Sequence, residues 1–568
     1  MNRLDYPNPI FIRKQTQLFN NDWQISYNDY AYMPINVPFS PESKLSGIGE
    51  EETIFRSVYK KSFFVERIVE RTIIHFGAVD YRCDLSVNGV YVGSHVGGYT
   101  PFEFDITDYL VVGENTVLLN VFDKEQRRAP TGKQTHKDKS FGCFYTRTTG
   151  IWQNVWLEYV PKSKIKKFFF YPDVNSCSLG VDLITNGVGK CSVNVSFNGK
   201  TVGEFFGEIE YRKYIEIPLT EKHLWEVGKG DLYDVTIKFI NDEVFSYFGL
   251  RSVGYKGFDF LLNGKKTYQK LVLDQGYYPD GGYTAPTDAD MQKDIDSALS
   301  LGFNGSRLHQ KVFDPKFLYL CDKAGYMVWG EFASWGVDYS DLDFVGRFID
   351  EWTQVLTRDF NHPSLITWCP LNEVWGTWED DREKRDVRFI ESVYAFTKIF
   401  DKTRPCVDVS GGHHGRHTDI FDFHNYNSPE DLGKCLKKLD ETGVLNVEHL
   451  FEDGSEDKYI DGTPVNLSEF GGKAISDSKC FSHIALNECA VTAEDAWGYG
   501  KGVSSGEEFV EYYRALIAVI KTNKKLSGFC YTQLYDVEQE QNGFFYYDRS
   551  AKLTDEQIVE IRKINEQI

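Results

Sequence analysis

The sequence predicts three domains, namely two β-sandwiches followed by a C-terminal (β/α)8 barrel of the TIM-barrel type. The chain has 568 residues, which suits about three domains of roughly 100–200 residues each. Apolar and polar residues alternate with period two over much of the first 255 positions, a pattern typical of β-strands. After Gly257, strand-like runs alternate with helical runs, a pattern typical of a parallel α/β architecture. We expect the domains at 1–160, 161–255 and 256–568.

Both N-terminal domains show strand and hairpin signals. Residues 73–99 contain alternating segments around an Asn88-Gly89 turn, which is a strong hairpin signal. The segments 115–123 and 150–160 add further strands, and turn clusters recur about every ten residues, as in a β-sandwich. The second domain repeats this pattern around Asn198-Gly199, and its length fits one immunoglobulin-like β-sandwich.

The third domain contains eight strand-like runs. They lie at 270–278, 303–310, 326–333, 365–373, 406–411, 420–426, 464–470 and 528–536. Helical patterns follow at 287–301, 314–324, 341–359, 382–400, 505–522 and 555–567, and we expect a helix and a surface loop within 428–463. Thr287 is the expected N-cap of the first helix, with Asp290 in its first turn. Eight such units predict a closed parallel barrel, whose active site lies at the C-terminal ends of the strands.

Composition argues against several functional classes. The net charge of −21 and the absence of a basic stripe argue against nucleic-acid binding. The sequence contains no run of about 18 apolar residues, so it predicts no membrane span. Residues 1–20 lack the apolar core of a signal peptide. The 11 cysteines form no Cys-x-x-Cys pair, which favours free thiols in a reducing cytoplasm. No clustered ligand pattern predicts a metal site.

Polar residues end most of the predicted barrel strands, and two of them, Glu373 and Glu469, are glutamates on opposite sides of the barrel. The candidates are Arg307, His309, Glu331, Asn372, Glu373, His424, Tyr426, Glu469 and Tyr531. A single glutamate at a strand end is most often part of a structural salt bridge. The pair formed by Glu373 on the fourth strand and Glu469 on the seventh instead suits glycoside cleavage, in which one carboxyl protonates the leaving oxygen while the other attacks the anomeric carbon.

Several of these segments resemble glycoside hydrolase family 2, the family of β-galactosidase and β-glucuronidase. The motif NHPSLITWCPLNE (361–373) resembles the family's acid/base motif, and NLSEFGG (466–472) resembles its nucleophile motif. FGAVDYRCDLSVNG (76–89), GSHVGGYTPFEFDIT (93–107) and TTGIWQNVWLE (148–158) resemble its N-terminal sugar-binding jelly roll. FGLRSV (248–253) and LLNGKKTYQKLVLDQG (261–276) resemble its entry into the barrel. The resemblance covers nearly the whole chain in order and implies a retaining exo-β-glycosidase.

The resemblance also implies individual roles. Glu373 would be the acid/base and Glu469 the nucleophile. Asn372 would contact the sugar 2-hydroxyl, and Tyr426 would hydrogen-bond Glu469. The remaining candidates for contact with Glu469 or the sugar are Arg307, His309, His424, Glu331, Trp497 and Tyr531, and for Arg307 and His309 a layer of ion pairs at the barrel mouth is an equal alternative.

The tryptophans divide between core and loop positions. Trp329 and Trp368 lie inside predicted strands, so we expect them in the core. Trp375, Trp378 and Trp497 lie in predicted loops, where they would either stack on a sugar or pack within the loop. Tyr531 stands where relatives often carry a tryptophan, which weakens the transfer of their specificity to this chain.

The sequence departs from the best-known members of the family. It lacks the magnesium-ligand segments of the long β-galactosidases, so we expect no metal and no cofactor. The β-glucuronidase lysine motif is also missing, with Phe544 in the corresponding position. A uronic acid would therefore need another cation, such as Arg307 or Lys311, and we rank uronides below neutral, galactose-like glycones.

Other interpretations stay open. The substrate would be a small-molecule or oligosaccharide glycoside, but furanosides, arabinosides and a non-catalytic carbohydrate-binding role are alternatives, and so is a homo-oligomer. The N-terminal loops 97–102 and 136–150 either reach the active site, with Arg147 as the residue to test, or form a structural interface.

Overall fold

The computed structural model describes residues 1–123, 129–336, 342–374, 386–412, 414–444, 459, 462–475, 479–481 and 496–568. For residues 342, 343 and 479–481 it describes the backbone alone. Within these ranges no helix is both long enough and apolar enough to cross a lipid bilayer. The nine cysteines whose side chains are described are all free thiols.

The N-terminal domain is a jelly-roll β-sandwich. Its strands are β1 (Thr16–Leu18), β2 (Trp23–Tyr27), β3 (Met33–Ile35), β4 (Arg56–Val65), β5 (Arg71–Phe76), β6 (Val79–Asp80), β7 (Arg82–Val87), β8 (Val90–Val96), β9 (Phe102–Asp105), β10 (Gly113–Phe122), β11 (Gly150–Ile151) and β12 (Val155–Val160). The sheet β3-β2-β4-β10-β7-β8 packs on the sheet β1-β12-β5-β9. The expected hairpin at Asn88-Gly89 joins β7 to β8, and both residues have the positive φ of a tight two-residue turn.

The second domain is an immunoglobulin-like sandwich with its own apolar core. Its strands are β13 (Ile165–Asp173), β14 (Ser178–Phe197), β15 (Lys200–Pro218), β16 (Tyr233–Phe239) and β17 (Asp242–Phe248). The expected turn at Asn198-Gly199 joins β14 to β15. A small sheet of β18 (Val253–Lys256), β19 (Asp259–Leu262) and β20 (Lys265–Lys266) leads into the barrel.

The third domain is the predicted barrel. Its strands are β21 (Gln269–Asp274), β22 (Gly305–Leu308), β23 (Met327–Glu331), β24 (Leu365–Cys369), β25 (Phe421–Asn425), β26 (Val465–Gly471) and β29 (Leu526–Thr532), with β27 (Lys479–Phe481) and β28 (Trp497–Tyr499) as a separate pair. The described helices are α1 (Asp288–Ser300), α2 (Pro315–Ala324), α3 (Leu342–Asp359), α4 (Val387–Phe400), α5 (Pro429–Thr442), α6 (Gly506–Thr522) and α7 (Asp555–Glu566). Thr287 caps α1, as expected, by accepting the backbone N–H of Asp290.

Seven strands form one parallel sheet in the order β24-β23-β22-β21-β29-β26-β25. The expected fifth strand, 406–411, is not a regular strand. It forms one isolated parallel bridge to Trp368 of β24 and one to Asn372, just beyond that strand. On its other edge, the N–H of Cys406 donates to the Asp419 carboxylate and the N–H of Asp408 to the Thr418 hydroxyl, at 2.9 and 3.2 Å. These side chains take the hydrogen bonds that a second ladder would need.

The N-terminal domain covers part of the barrel mouth. The Trp497 indole donates to the carbonyl of Gly142 at 2.8 Å, and the N–H of Thr131 donates to the carbonyl of Trp335 at 2.9 Å. The hydroxyl of Tyr145 also donates to Glu540. The segment 129–150 therefore forms one wall above the ends of the barrel strands.

Candidate active site

Glu469 lies in β26 with its carboxylate almost fully buried among hydrogen-bond donors. Nη1 of Arg307 donates to its Oε1 at 2.9 Å, and the hydroxyl of Tyr426 donates to its Oε2. Burial alone would raise the pKa of Glu469. The positive charges of His424 and Arg307 more than offset that effect, so the pKa lies below its usual value. Glu469 is therefore ionised at neutral pH, as a nucleophile must be.

Arg307, on β22, is completely buried and connects three parts of the site. Its Nε donates to Glu331, its Nη1 to Glu469 and its Nη2 to Asn372. Arg307 therefore fits both roles expected from the sequence. It belongs to a layer of ion pairs, and it also contacts Glu469. All of these partners are protein groups.

Glu331 is buried and contacts Arg307 and His309. One carboxylate oxygen accepts from Arg307, and the other accepts from the backbone N–H of Gln310 at 2.7 Å and lies 2.8 Å from Nδ1 of His309. Its side chain is about 1% exposed. Its contacts therefore place it as a support for Arg307 and His309, whereas the sequence suggested contact with Glu469 or the sugar.

His309 is a neutral imidazole at this position. Burial lowers its pKa well below the usual value, and the nearby charges of Lys133 and Arg307 lower it further. Its Nδ1 faces Glu331, while its Nε2 lies 4.0 Å from Oε1 of Glu469. Nε2 is thus the nitrogen directed toward the reacting carboxylate.

Glu373 follows β24 and is more exposed than Glu469, with 19% of its side chain accessible. Its backbone has φ of 45°, in the left-handed region, and its N–H donates to the carbonyl of Ser410 at 2.9 Å. One oxygen atom of Glu373 and one of Glu469 lie within 4.8 Å of each other. This spacing approaches the separation of about 5–5.5 Å between the carboxyl groups of retaining glycosidases.

His424 lies between the two carboxylates. Its Nδ1 is 2.7 Å from Oε1 of Glu373 and 3.4 Å from Oε2 of Glu469. Burial would lower the pKa of His424, but the neighbouring charges of Glu469 and Glu373 more than offset this effect and raise it. The two acids therefore favour the protonated, positively charged form of this imidazole.

Asn372 has one amide atom fixed and one available. Its Oδ1 accepts from Nη2 of Arg307 at 2.5 Å, and because a guanidinium can only donate, this contact fixes the orientation of the amide. Its Nδ2 is buried and has no hydrogen-bond partner among the described residues. A donor in this position suits a sugar hydroxyl.

Tyr426 is held by residues that were not singled out in the sequence. Its ring stacks on that of Tyr499 with centroids 3.5 Å apart and planes 8° apart. Its hydroxyl also lies 3.1 Å from the hydroxyl of Thr532. Period-two alternation along β29 could have identified Thr532, whereas no local pattern marks Tyr499.

Tyr531 and Trp497, two aromatic residues considered for sugar contact, are both fully buried. Tyr531 is fully buried and packs against Tyr513 of α6, with ring centroids 5.3 Å apart, because alternation along β29 directs it outward toward the helices. Trp497 lies in a short strand, not a loop, and is fully buried in a cluster with Phe141, Phe144 and Trp335. Neither ring is available to a sugar in this structure.

The remaining predicted positions are those of Trp329, Trp368, Trp375, Trp378 and Arg147. Trp329 and Trp368 lie in the core, as expected. Trp375 and Trp378 lie outside the described residues. The 136–150 loop contacts the barrel, but Arg147 donates to the carbonyl of Lys137 at 3.4 Å and has no contact with either glutamate in the described structure.

The oxygen and nitrogen atoms of Glu373, His424 and Glu469 are close enough together to be considered as metal ligands. Nη1 of Arg307 lies 3.3 Å from Nε2 of His424 and 2.9 Å from Oε1 of Glu469. This fixed positive charge beside the cluster opposes the binding of a divalent cation. The arrangement instead suits acid–base and nucleophilic chemistry.

Comparisons with known proteins identify the families and relatives that this chain resembles. Residues 15–161 match the model for the sugar-binding domain of glycosyl hydrolases family 2, and residues 253–449 match the model for the TIM-barrel domain of the same family. A β-galactosidase from Thermoanaerobacter pseudethanolicus is 28% identical over 68% of this chain and 53% of its own length. A putative β-glucuronidase from Formosa agariphila is 24% identical over 67% of this chain and 48% of its own length.

Solved structures share the whole fold at low sequence identity. The β-D-glucuronidase of Dictyoglomus thermophilum superimposes with a TM-score of 0.78 at 21% identity, over 99% of both chains. A family 2 β-galacturonidase from Eisenbergiella tayi does so with a TM-score of 0.76 at 19% identity, over 98% of this chain and 97% of the other. The chain spans about half the length of the curated relatives it matches.

Proposed function

Because the chain belongs to glycoside hydrolase family 2, we propose that it is a retaining exo-β-glycosidase that removes a terminal β-linked sugar. One observation carries this proposal. Two carboxylates approach within 4.8 Å at the mouth of the barrel, and the pKa of one of them, Glu469, is held below its usual value. A close pair of acids with different protonation states is what a double displacement at the anomeric carbon requires.

In the first step, Glu469 attacks the anomeric carbon while Glu373 donates its proton to the leaving oxygen. The glycosidic bond breaks, the aglycone departs, and the sugar is esterified to Glu469. In the second step, water attacks the same carbon while Glu373, now a carboxylate, accepts a proton from it. The ester bond breaks, and Glu469 leaves as a carboxylate. No redox step or cofactor enters this balance.

The surrounding residues assist each charge change. Arg307 and Tyr426 keep Glu469 ionised before attack and stabilise it again as a leaving group. His424 contacts Glu373 and lies close to Glu469. Its protonation therefore depends on the charges of both acids, which change in each step. The Nδ2 atom of Asn372 is the donor for the sugar 2-hydroxyl, where hydrogen bonds strengthen in the transition state.

The mechanism does not determine which sugar the enzyme accepts as its glycone. The names of the curated relatives include both β-galactosidase and putative β-glucuronidase. A galactose-like sugar and a uronic acid are therefore the leading alternatives. They differ at C6, which is a hydroxymethyl group in the neutral sugar and a carboxylate in the uronic acid.

The test is a panel of p-nitrophenyl β-glycosides hydrolysed by the wild-type enzyme, by Glu469→Gln and by Glu373→Ala. We expect Glu469→Gln to lower kcat by at least about 10⁴-fold, since it removes the nucleophile and keeps its shape. Glu373→Ala should lose more activity on substrates with poor leaving groups than on those that release p-nitrophenolate. Added azide should restore part of the lost activity. Turnover that survived Glu469→Gln would contradict the mechanism. Sugar binding without turnover in the wild type would instead indicate a carbohydrate-binding protein.

A further inference from the structure

Lys133, in the N-terminal domain, is a buried cation in the wall of the candidate active site. Only 5% of the residue is exposed. Its ammonium nitrogen lies 5.5 Å from the ring centroid of Trp335 and 5.7 Å from that of Tyr145. In the part of the chain that the structure describes, it forms no ion pair with a carboxylate and donates no hydrogen bond. An ammonium that is largely withdrawn from water, with no carboxylate beside it among the described residues, retains part of its desolvation cost.

The backbone around Lys133 is fixed against the barrel. The N–H of Thr131 donates to the carbonyl of Trp335 at 2.9 Å, and the carbonyl of Lys133 accepts from Tyr145 at 2.8 Å. A Cβ atom at Gly132 would lie 2.2 Å from the carbonyl oxygen of Gln310, so the chain approaches the barrel as closely as a glycine allows. The ammonium is therefore presented by a rigid segment.

Lys133 is connected to the residues around the reacting pair through Trp335. The ring of Trp335 lies 6.5 Å from that of His309, and its indole N–H donates to the carbonyl of Asn372 at 3.1 Å. The charge of Lys133 also contributes to the lowered pKa of His309, after burial. The ammonium thus lies on the same side of the site as Trp335, the residue that contacts Asn372 and His309.

The two cations proposed from the sequence as ligands for a uronic acid are already committed elsewhere. Arg307 donates to Glu331, Glu469 and Asn372. Lys311 donates to the carbonyl oxygens of Gly276 and Tyr283, and burial lowers its pKa to about 7. The donors of both residues are thus already engaged by protein groups. Lys133 donates no hydrogen bond to a protein group in the described structure.

We propose that Lys133 is a specificity-determining residue whose ammonium binds the carboxylate of an anionic glycone, so that the substrates are β-linked uronides. The inference rests on the proposed glycosidase function and names its substrate class. A carboxylate is the group that best compensates a buried ammonium, through a charge-assisted hydrogen bond. Trp335 and Tyr145 would exclude water from this ion pair.

The experiment uses matched substrate pairs that differ only at C6, namely p-nitrophenyl β-galacturonide with β-galactoside and β-glucuronide with β-glucoside. We expect the wild type to prefer one uronide over its neutral partner. Lys133→Met keeps the length of the stem and removes the charge. It should lower kcat/KM on that uronide by about 100-fold, the usual range for a hydrogen bond to a charged group, and change kcat/KM on the neutral partner less than about 5-fold.

Two controls accompany this substitution. Lys139→Met removes an exposed lysine from the same segment and should leave both substrates unchanged. Lys133→Arg keeps the charge and should retain a preference for the uronide. The inhibition constant of the free uronic acid, measured against a neutral substrate, should rise in Lys133→Met but not in Lys139→Met.

The outcomes separate this inference from the proposed function. A wild type that hydrolyses neutral glycosides through Glu469 and discriminates against uronides would overturn the role of Lys133 and leave the glycosidase mechanism intact. The same holds if Lys133→Met lowers activity equally on both members of a pair, because the residue would then support the site as a whole. No turnover on any glycone would overturn both proposals.

Discussion

The two carboxylates at the barrel mouth occupy contrasting surroundings. Glu469 lies within a strand, is buried, and accepts hydrogen bonds from Arg307 and Tyr426. Glu373 lies in the loop beyond a strand, is partly exposed, and contacts His424 through one oxygen. The barrel therefore fixes the charge of the first acid with rigid donors, while the second remains accessible to solvent and can exchange a proton. This difference matches the roles of nucleophile and acid/base.

The largest loss is expected when the charge that holds Glu469 is removed. Arg307→Met leaves the buried carboxylates of Glu331 and Glu469 without their shared cation, at a cost of about 3–5 kcal/mol in the free energy of unfolding. The pKa of Glu469 should rise, so the acidic limb of the kcat/KM–pH profile should move to higher pH. Arg307→Lys restores the charge but not the fork geometry. It should therefore recover only part of the lost stability and only part of the shift of the acidic limb. Calorimetry and the pH profile together test this, and an unchanged acidic limb would contradict it.

A smaller loss is expected at Tyr426, for which the chain offers a matched control. Tyr426→Phe removes one hydrogen bond to the Glu469 carboxylate and should lower kcat/KM by about 10- to 100-fold. Tyr531→Phe should leave kcat/KM unchanged, because that hydroxyl is buried without a hydrogen-bond partner in the described structure. Equal effects of the two substitutions would show that the Tyr426 hydroxyl has no special role in the reaction.

These two tyrosines also show where sequence reasoning succeeds and fails. The strand-end rule identified the residues that converge in the site, because strand termini in a parallel barrel lie at one rim. It misplaced Tyr531, since within a strand the direction of the side chain depends on the exact register, and Thr532 is the residue that faces inward. The segment 406–411 looked like a strand, but the side chains of Thr418 and Asp419 take hydrogen bonds that a regular ladder would use.

Lys133 could not be assigned from the sequence for a different reason. It lies more than 170 positions before Arg307 and in another domain, so its place in the wall depends on how two separately folded units pack. Its own segment, GKQT, carries no periodicity or motif that indicates an active site. The tight approach of Gly132 to Gln310 becomes visible only in the structure.

His424 should make the stability of the protein depend on pH. Its folded-state pKa is raised by Glu469 and Glu373 against the effect of burial. The stabilisation is therefore complete below the unfolded pKa, near 6.5, and is lost as the pH rises through the higher folded pKa. It amounts to about 1.4 kcal/mol for each pH unit that separates the folded pKa from the unfolded one. We expect the Tm of the wild type to fall over this window and the Tm of His424→Asn to fall less. Parallel curves for the two proteins would exclude His424 as the titrating group.

The smallest effect is expected from chelation. Glu373, His424 and Glu469 could bind a divalent cation by distance alone, but such an ion would have to share the cavity with the guanidinium of Arg307. Binding would also occupy the carboxylate that has to attack the anomeric carbon. Dialysis against EDTA should therefore leave kcat and KM unchanged, and added Mg²⁺ or Mn²⁺ should have no stimulating effect. Loss of activity with EDTA, restored by one particular metal, would mean that the two carboxylates act through an ion, and the contrast between Glu469 and Glu373 would then have to be explained by coordination instead of by protonation.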